Sequence, residues 1–168
     1  VPIELRDFVN RNVYDTTLGE VRNLDDNKFP LFIKAYEKTN DFIAGPIKNK
    51  IYLGYYTHKF EDNLPVQISN IVEFMSEYRC FVNDGKLVGL KHYINDFTLF
   101  PNIDFIKEVI KQYKNAPIAY TLDVGITKSG TTELIECNDA WSIGNYGLNP
   151  KIYVTMLLNR WFEILKTC

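Results

Sequence analysis

The sequence has no apolar run near the ~20 residues needed to cross a bilayer, no Cys-x-x-Cys pair, no repeat, no low-complexity tract and only two histidines. Each absence removes a class. The amino terminus, Val1-Pro2-Ile3-Glu4, lacks the basic-then-apolar form of a signal peptide, so the expectation is a soluble, cytoplasmic protein with no membrane partner. Cys80, Cys137 and Cys168 are odd in number and far apart, which signals neither a disulfide framework nor a zinc site. Cys80 and Cys137 read as small strand residues of a core. His58 and His92 have no Cys, Asp or Ser at the spacing of a triad or a metal site. The glycines form neither G-x-x-x-x-G-K-[ST] nor G-x-G-x-x-G, which leaves P-loop and Rossmann phosphate binding without support. Asn83-Asp84-Gly85-Lys86 is no Lys-x-Asp-Gly, so covalent nucleotidyl transfer loses its simplest argument. An excess of one charge is missing too. With 19 Lys+Arg against 21 Asp+Glu and a net charge of -2, there is no electrostatic ground for wholesale capture of nucleic acid, and none is expected as a partner.

What is present is a chain of 168 residues, 46% hydrophobic and 14% aromatic, enough for one domain or two fused lobes. The first thirty residues are polar and weakly periodic, with a helical turn at Leu18 to Arg22. Strands are predicted at Leu31 to Ala35, Ile51 to Tyr56 and Pro65 to Ser69, where β-branched or aromatic runs are bounded by Gly, Pro, Asn and Asp. Asp84-Gly85 between Glu77 to Val82 and Lys86 to Ile94 predicts a hairpin. Asn102 caps a helix whose apolar residues Ile103, Ile106, Val109, Ile110 and Tyr113 recur at helical spacing. A second hairpin joins Tyr120 to Ile126 with Thr132 to Asn138 across Ser129-Gly130. Asn149-Pro150 opens a last helix, expected to bury Ile152, Met156, Leu157, Trp161 and Leu165. The fold class is α+β: antiparallel hairpins with helices laid on the sheet.

The second hairpin carries the chemistry. A two-residue turn places Asp123 directly opposite Glu136, with Thr121, Gly125, Leu134 and Asn138 on the same face. Leu122, Val124, Ile126, Ile135 and Cys137 then point into a core. Two facing carboxylates repel by an amount comparable with an ordinary cross-strand pair, a few tenths to ~1 kcal/mol, so a cation belongs between them. Oxygen donors from Asp, Glu and Asn suit Mg²⁺. The bland alternative is a solvated face where each acid meets its own lysine. On the first hairpin, Glu77, Arg79 and Phe81 share a face. Lys91 joins them if the loop has three residues and turns away if it has two. Arg and Lys beside an acidic pair supply what a triphosphate needs, and they read equally as surface cations. Lys34 sits inside an apolar strand and needs either an anion or solvent.

Taken in order, Phe32-Ile33-Lys34, Lys38 with Phe42 and Gly45, Val66-Gln67-Ile68-Ser69, Glu77-Tyr78-Arg79-Cys80-Phe81-Val82, Leu122-Asp123-Val124 and Glu136-Cys137-Asn138 resemble the ATP-binding half of the ATP-grasp superfamily. The sequence is most similar to the phage and bacterial clade whose motif has one arginine and two lysines. The resemblance implies two lobes of antiparallel sheet with packed helices and a nucleotide site between them. It implies a small lobe over 31–70, a C-terminal lobe over 71–168 and a reduced or truncated N-terminal segment over 1–30. It further implies that Lys34 lies near adenine and the α-phosphate, and that Lys38 covers the phosphates. The Gln67, Ile68 and Ser69 backbone would meet adenine, with Glu77 counted among the nucleotide-binding residues. Arg79 and Lys91 would act on phosphate or the reacting acyl group, and Asp123, Glu136 and Asn138 would hold Mg²⁺. The implied activity is ATP- and Mg²⁺-dependent ligation of a carboxylate to an amine through an acyl phosphate, on a peptide, protein or amino-acid-like substrate. Family enzymes carry a substrate-binding N-terminal domain, so a further domain or a partner chain is expected to supply it. The alternative is a nucleotide-binding interaction protein that keeps the clamp without ligation.

Overall fold

The computed structural model describes residues 1–36, 42 and 44–167. Two compact units emerge, Arg11–Val72 and Val1–Asn10 with Glu73–Cys168. Residues 1–30 therefore divide between the units instead of forming one segment.

The Arg11–Val72 unit contains β1 (Val13–Thr17), α1 (Leu18–Arg22), β2 (Leu31–Ala35), β3 (Gly45–Ile47), α2 (Lys50–Thr57) and β4 (Pro65–Ser69). Its sheet runs β1-β4-β2-β3, antiparallel throughout. The turn of helix at α1 starts where Thr17 can cap it. The Thr17 hydroxyl accepts from the Glu20 N–H, and the Glu20 carboxylate accepts from the Thr17 N–H at 3.1 Å, a reciprocal cap of ~1 kcal/mol. Alternation along β2 and β4 sends Leu31, Ile33 and Val66 to a core shared with Leu18, Val21, Ile47 and Leu53. Phe32, Lys34, Gln67 and Ser69 occupy the opposite face.

The predicted strand at Ile51 to Tyr56 is a helix. Its aromatic residues imitate a strand, but Asn49 Oδ1 accepts from the Tyr52 N–H at 2.9 Å and opens α2. Leu53 and Thr57, four residues apart, then form the buried side, while Ile51 and Tyr55 stay in solvent. Arg22 ties this helix down: its guanidinium donates to the Thr57 and Phe60 carbonyls at 2.5 and 3.1 Å and pairs with Asp62.

In the other unit, β5 (Phe74–Asn83), β6 (Lys86–Asn95), β7 (Ala119–Thr127) and β8 (Thr132–Asp139) form an antiparallel sheet ordered β6-β5-β7-β8. It is joined by α3 (Ile103–Gln112), α4 (Pro150–Thr167) and a 3-10 turn, Ile3–Phe8. The Asn102 side chain caps α3, accepting from Asp104 N–H at 2.9 Å and Phe105 N–H at 3.2 Å, and Ile106 and Val109 are buried. Asn149 plays the same part at α4, accepting from the Lys151 N–H at 3.0 Å. Met156 on α4 is buried with Phe81, Ala119, Ala140 and Leu148 over one end of the sheet.

Trp161 and Leu165 do not join that core; they are 46% and 66% exposed. The inward side of the second half of α4 is ionic instead. Arg160 donates to both Asp139 oxygens at 2.7 and 2.6 Å, and Glu163 accepts from the Ile118 N–H at 2.9 Å. Those contacts fix the helix phase and turn its apolar stripe outward. Among the described residues, no helix is long and apolar enough to cross a membrane.

Both hairpins depart from the simplest register, and both departures are cancelled. The first has a two-residue Asp84-Gly85 turn with φ of 51° and 67°, pairing Asn83 with Lys86. Such a turn was expected to send Lys91 away from Arg79. A bulge between the Val82–Leu87 and Phe81–Gly89 pairs leaves Val88 unmatched and brings Lys91 opposite Arg79. In the second hairpin the loop is one residue longer than expected: Thr127 N–H donates to Thr131 O, and Ile126 pairs with Thr132. Leu134 therefore faces Val124 on the core side and is fully buried, contrary to its expected place beside the acids. Ile135 is the bulged residue, and beyond it Asp123 again meets Glu136.

Candidate functional site

The registers align one residue from each strand of the second sheet into a single cross-strand row, Lys91–Arg79–Asp123–Glu136. Two cations are followed by two anions across four strands. The next row on the same face is Gly89–Phe81–Thr121–Asn138. On the other face the matching rows are apolar, for example Leu90–Cys80–Leu122–Cys137, with Cys80 and Leu122 fully buried. Strand alternation thus puts core on one side and charge on the other.

The cation between the facing acids is Arg79. Its Nε donates to Asp123 Oδ1 at 2.7 Å and its Nη2 to Asp123 Oδ2 at 2.5 Å, a bidentate fork, while the same Nη2 lies 3.9 Å from Glu136 Oε1. Asn138 Nδ2 donates to Glu136 Oε1 at 2.7 Å. Burial differs along the row: Asp123 is 2% exposed, whereas a third of the Glu136 side chain is open. Burial pushes the Asp123 carboxyl up to about 6 from its ordinary 3.8; the hydrogen bonds and charge of Arg79 pull the other way, and Glu136 adds to the rise. Arg79 is held more firmly protonated than a free guanidinium, chiefly by its hydrogen bonds to Asp123.

Two tyrosines frame this guanidinium. Its carbon lies 4.5 Å from the Tyr146 ring centroid and 5.9 Å from that of Tyr93. Tyr93 is a bulged residue of β6 whose hydroxyl donates to Glu77 Oε2 at 2.7 Å. Tyr146 adopts a positive φ of 47°, a costly conformation for a bulky residue. A Cβ at Gly144 would stand 2.8 Å from its ring, so the glycine makes room for the side chain. The aromatic Trp141 to Gly147 stretch was visible in the sequence as a candidate border of the site. Nothing there marked Tyr93, whose position depends on a bulge.

The donor set suits a hard divalent cation: two carboxylates, an amide and the Thr121 hydroxyl, which is buried without a hydrogen-bond partner on the same face. Among the described residues no group of three or more His, Cys, Asp or Glu side chains could hold a metal, so the set rests on two carboxylates and needs further oxygens from a ligand. Mg²⁺, which prefers one or two carboxylates plus phosphate oxygens, fits that description.

The other expected residues lie in the Arg11–Val72 unit. Lys34 on β2 pairs with Gln67 on β4, on the face away from the core. Gln67 is buried and donates to Asp15 Oδ1 at 2.8 Å, and Ser69 donates to the Asn70 carbonyl at 3.1 Å. Ile68 faces the core with Ile33. Lys38 lies outside the described residues. A cleft of about 550 Å³ lined by Tyr113, Cys137, Asp139 and Arg160 contains none of the expected site residues.

Comparison with known proteins follows the same lines. A family described as an ATP-grasp domain, the second family of the clade named for one arginine and two lysines, matches residues 8–156. No curated protein matches the sequence. Among solved structures, D-alanine–D-alanine ligase from Bacillus anthracis complexed with ATP superposes with a TM-score of 0.64 at 16% identity, covering 98% of this chain and 64% of that one. The macrocyclase MdnC from Microcystis aeruginosa, bound with precursor peptide MdnA, gives 0.63 at 14% identity over 99% of this chain and 59% of that one. The ATP-grasp ligase PsnB, with minimal precursor, Mg and ADP, gives 0.58 at 13% identity, covering 94% of this chain and 56% of that one. The chain thus spans less than two thirds of each of these three structures.

Proposed function

Because this chain belongs to the ATP-grasp domains, in the second family of the arginine-and-two-lysine clade, we propose that it is an ATP- and Mg²⁺-dependent carboxylate–amine ligase. The observation that carries the reading is the row Lys91–Arg79–Asp123–Glu136 on the face of the sheet opposite the core. ATP phosphorylates a substrate carboxylate; the acyl phosphate then loses inorganic phosphate to an attacking amine, which leaves an amide, ADP and a proton. No protein nucleophile is required, so the protein contributes positioning and charge neutralisation.

Asp123, Glu136 and Asn138 are the residues proposed to hold Mg²⁺, with the Thr121 hydroxyl beside them. When bound, the cation neutralises phosphate oxygens and polarises the transferring group. Arg79 and Lys91 supply donors to the phosphoryl oxygens or to the acyl group. Lys34, Lys38, Gln67, Ile68, Ser69 and Glu77 are assigned to the nucleotide. The peptide substrates named for the MdnC and PsnB structures support a peptide, protein or amino-acid-like substrate here, with a further domain or a partner chain completing its binding.

A second reading, a nucleotide-binding protein that does not ligate, is favoured by one observation. Both Asp123 oxygens are taken by Arg79. A metal must compete with that fork. Incubation with ATP, Mg²⁺ and mixed carboxylates and amines separates the readings. Ligation releases ADP and phosphate in step with amide; AMP and pyrophosphate refute the acyl-phosphate route. Tight ATP binding by calorimetry, with no consumption of any acceptor, selects the second reading.

A further inference from the structure

The outward side of α4 carries Val154, Leu158, Trp161, Phe162 and Leu165, each between 46% and 66% exposed. Trp141, 44% exposed, extends the patch by packing its ring edge-to-face on Trp161 at 6.5 Å. Single exposed hydrophobics are ordinary, but six contiguous ones are not. With about 150–250 Å² for a whole aromatic side chain, half-exposure of these six offers on the order of 600 Å². That is at the top of the ~300–600 Å² of the largest patch on a typical monomer and approaches the ~800 Å² each partner contributes to a standard interface.

The spacing identifies the occupant. Val154, Leu158, Trp161 and Leu165 follow one another at intervals of four, three and four residues, the same read forwards or backwards. Two copies of α4 laid antiparallel about a two-fold axis therefore match Val154 with Leu165 of the second copy, and Leu158 with Trp161. Such self-complementarity is what an isologous contact demands. Intervals of three and four also keep the seam on one side of a helix.

Charge agrees with this arrangement. Glu163, the acid of α4, is turned inward to the Ile118 N–H and Arg160, and Lys151 and Lys166 stand at the two ends, where water reaches them. No like charges meet inside the seam.

We propose that this chain forms a two-fold homodimer through antiparallel pairing of α4, with Leu158 of one copy against Trp161 of the other. The inference is independent of the ligase reading, since no residue of the charged row takes part.

Sedimentation velocity and light scattering at tens of micromolar protein test it. The wild-type chain sediments at twice the monomer mass. Leu158→Lys alone and Trp161→Glu alone each run as monomers with unchanged far-UV circular dichroism, and an equimolar mixture of the two restores a dimer, because position 158 meets position 161 of the partner. A wild-type monomer at every concentration overturns the proposal. So does a dimer that survives both substitutions, which places the contact elsewhere. Failure of the mixture to re-dimerise overturns the antiparallel pairing.

Discussion

The Asp123 carboxyl makes a quantitative prediction. It is 2% exposed, and its pKa is raised to about 6 from an ordinary 3.8 although Arg79 grips both oxygens. The folded state therefore holds this proton more tightly than the unfolded chain. Its stabilising contribution is complete below pH ~3.8 and is lost as pH rises through about 6. The full loss is ~3 kcal/mol for a shift of about two units, of which ~1.3 kcal/mol falls between pH 5 and pH 7. Asp123→Asn cannot titrate and keeps an acceptor for Arg79. Urea denaturation of both proteins in EDTA, from pH 4 to pH 8, isolates this group from all other carboxyls. Wild type should lose about 1 to 1.5 kcal/mol relative to the variant between pH 5 and pH 7. Parallel curves would show that burial and the Arg79 fork cancel. A wild type that gains on the variant as pH rises would show that the ion pair wins outright, and the reasoning from burial would fail. The same proton must leave before a metal binds, so Mg²⁺ affinity should rise with pH through about 6.

Three further outcomes follow from other contacts. Glu136→Gln removes the more open of the two carboxylates and should weaken Mg²⁺-ATP binding by roughly tenfold or more, about 1.4 kcal/mol, as measured by calorimetry, with thermal stability nearly unchanged. Tyr146→Ala removes the ring 4.5 Å from the Arg79 guanidinium and should cost ~1 kcal/mol in denaturant titration, while Tyr146→Phe keeps the stack and should cost less than half of that. Gly125→Ala places a methyl carbon 2.2 Å from the Phe74 ring; the overpacking should destabilise the protein by ~1–3 kcal/mol, read as a lower melting temperature.

The pairing of Asp123 with Glu136 was legible because apolar alternation on both strands demands one side for the core. The loop beside it was not. Ser129-Gly130 reads as a two-residue turn, whereas the structure uses three residues and then absorbs Ile135 in a bulge, which moves Leu134 to the core face. A bulge leaves almost no trace in sequence, since it needs no particular residue type. The same blindness hid Tyr93 and made the fate of Lys91 depend on a turn length that did not decide it. Ile51 to Tyr56 misled differently: propensity favoured a strand, and a single cap at Asn49 reversed it. In α4 the helical spacing was readable, but its phase is set by Arg160 and Glu163, long-range partners of Asp139 and Ile118.

The bulges at Val88 and Ile135 act as buffers. Each lies between the tip of a hairpin and the charged row, so turn geometry and site geometry are specified by different residues. The tips can thus be remodelled, lengthened or grafted with a foreign loop while the four aligned side chains keep their neighbours. Even excising Ile135 would only make the ladder regular, with Leu134 and Glu136 consecutive and still opposite Val124 and Asp123.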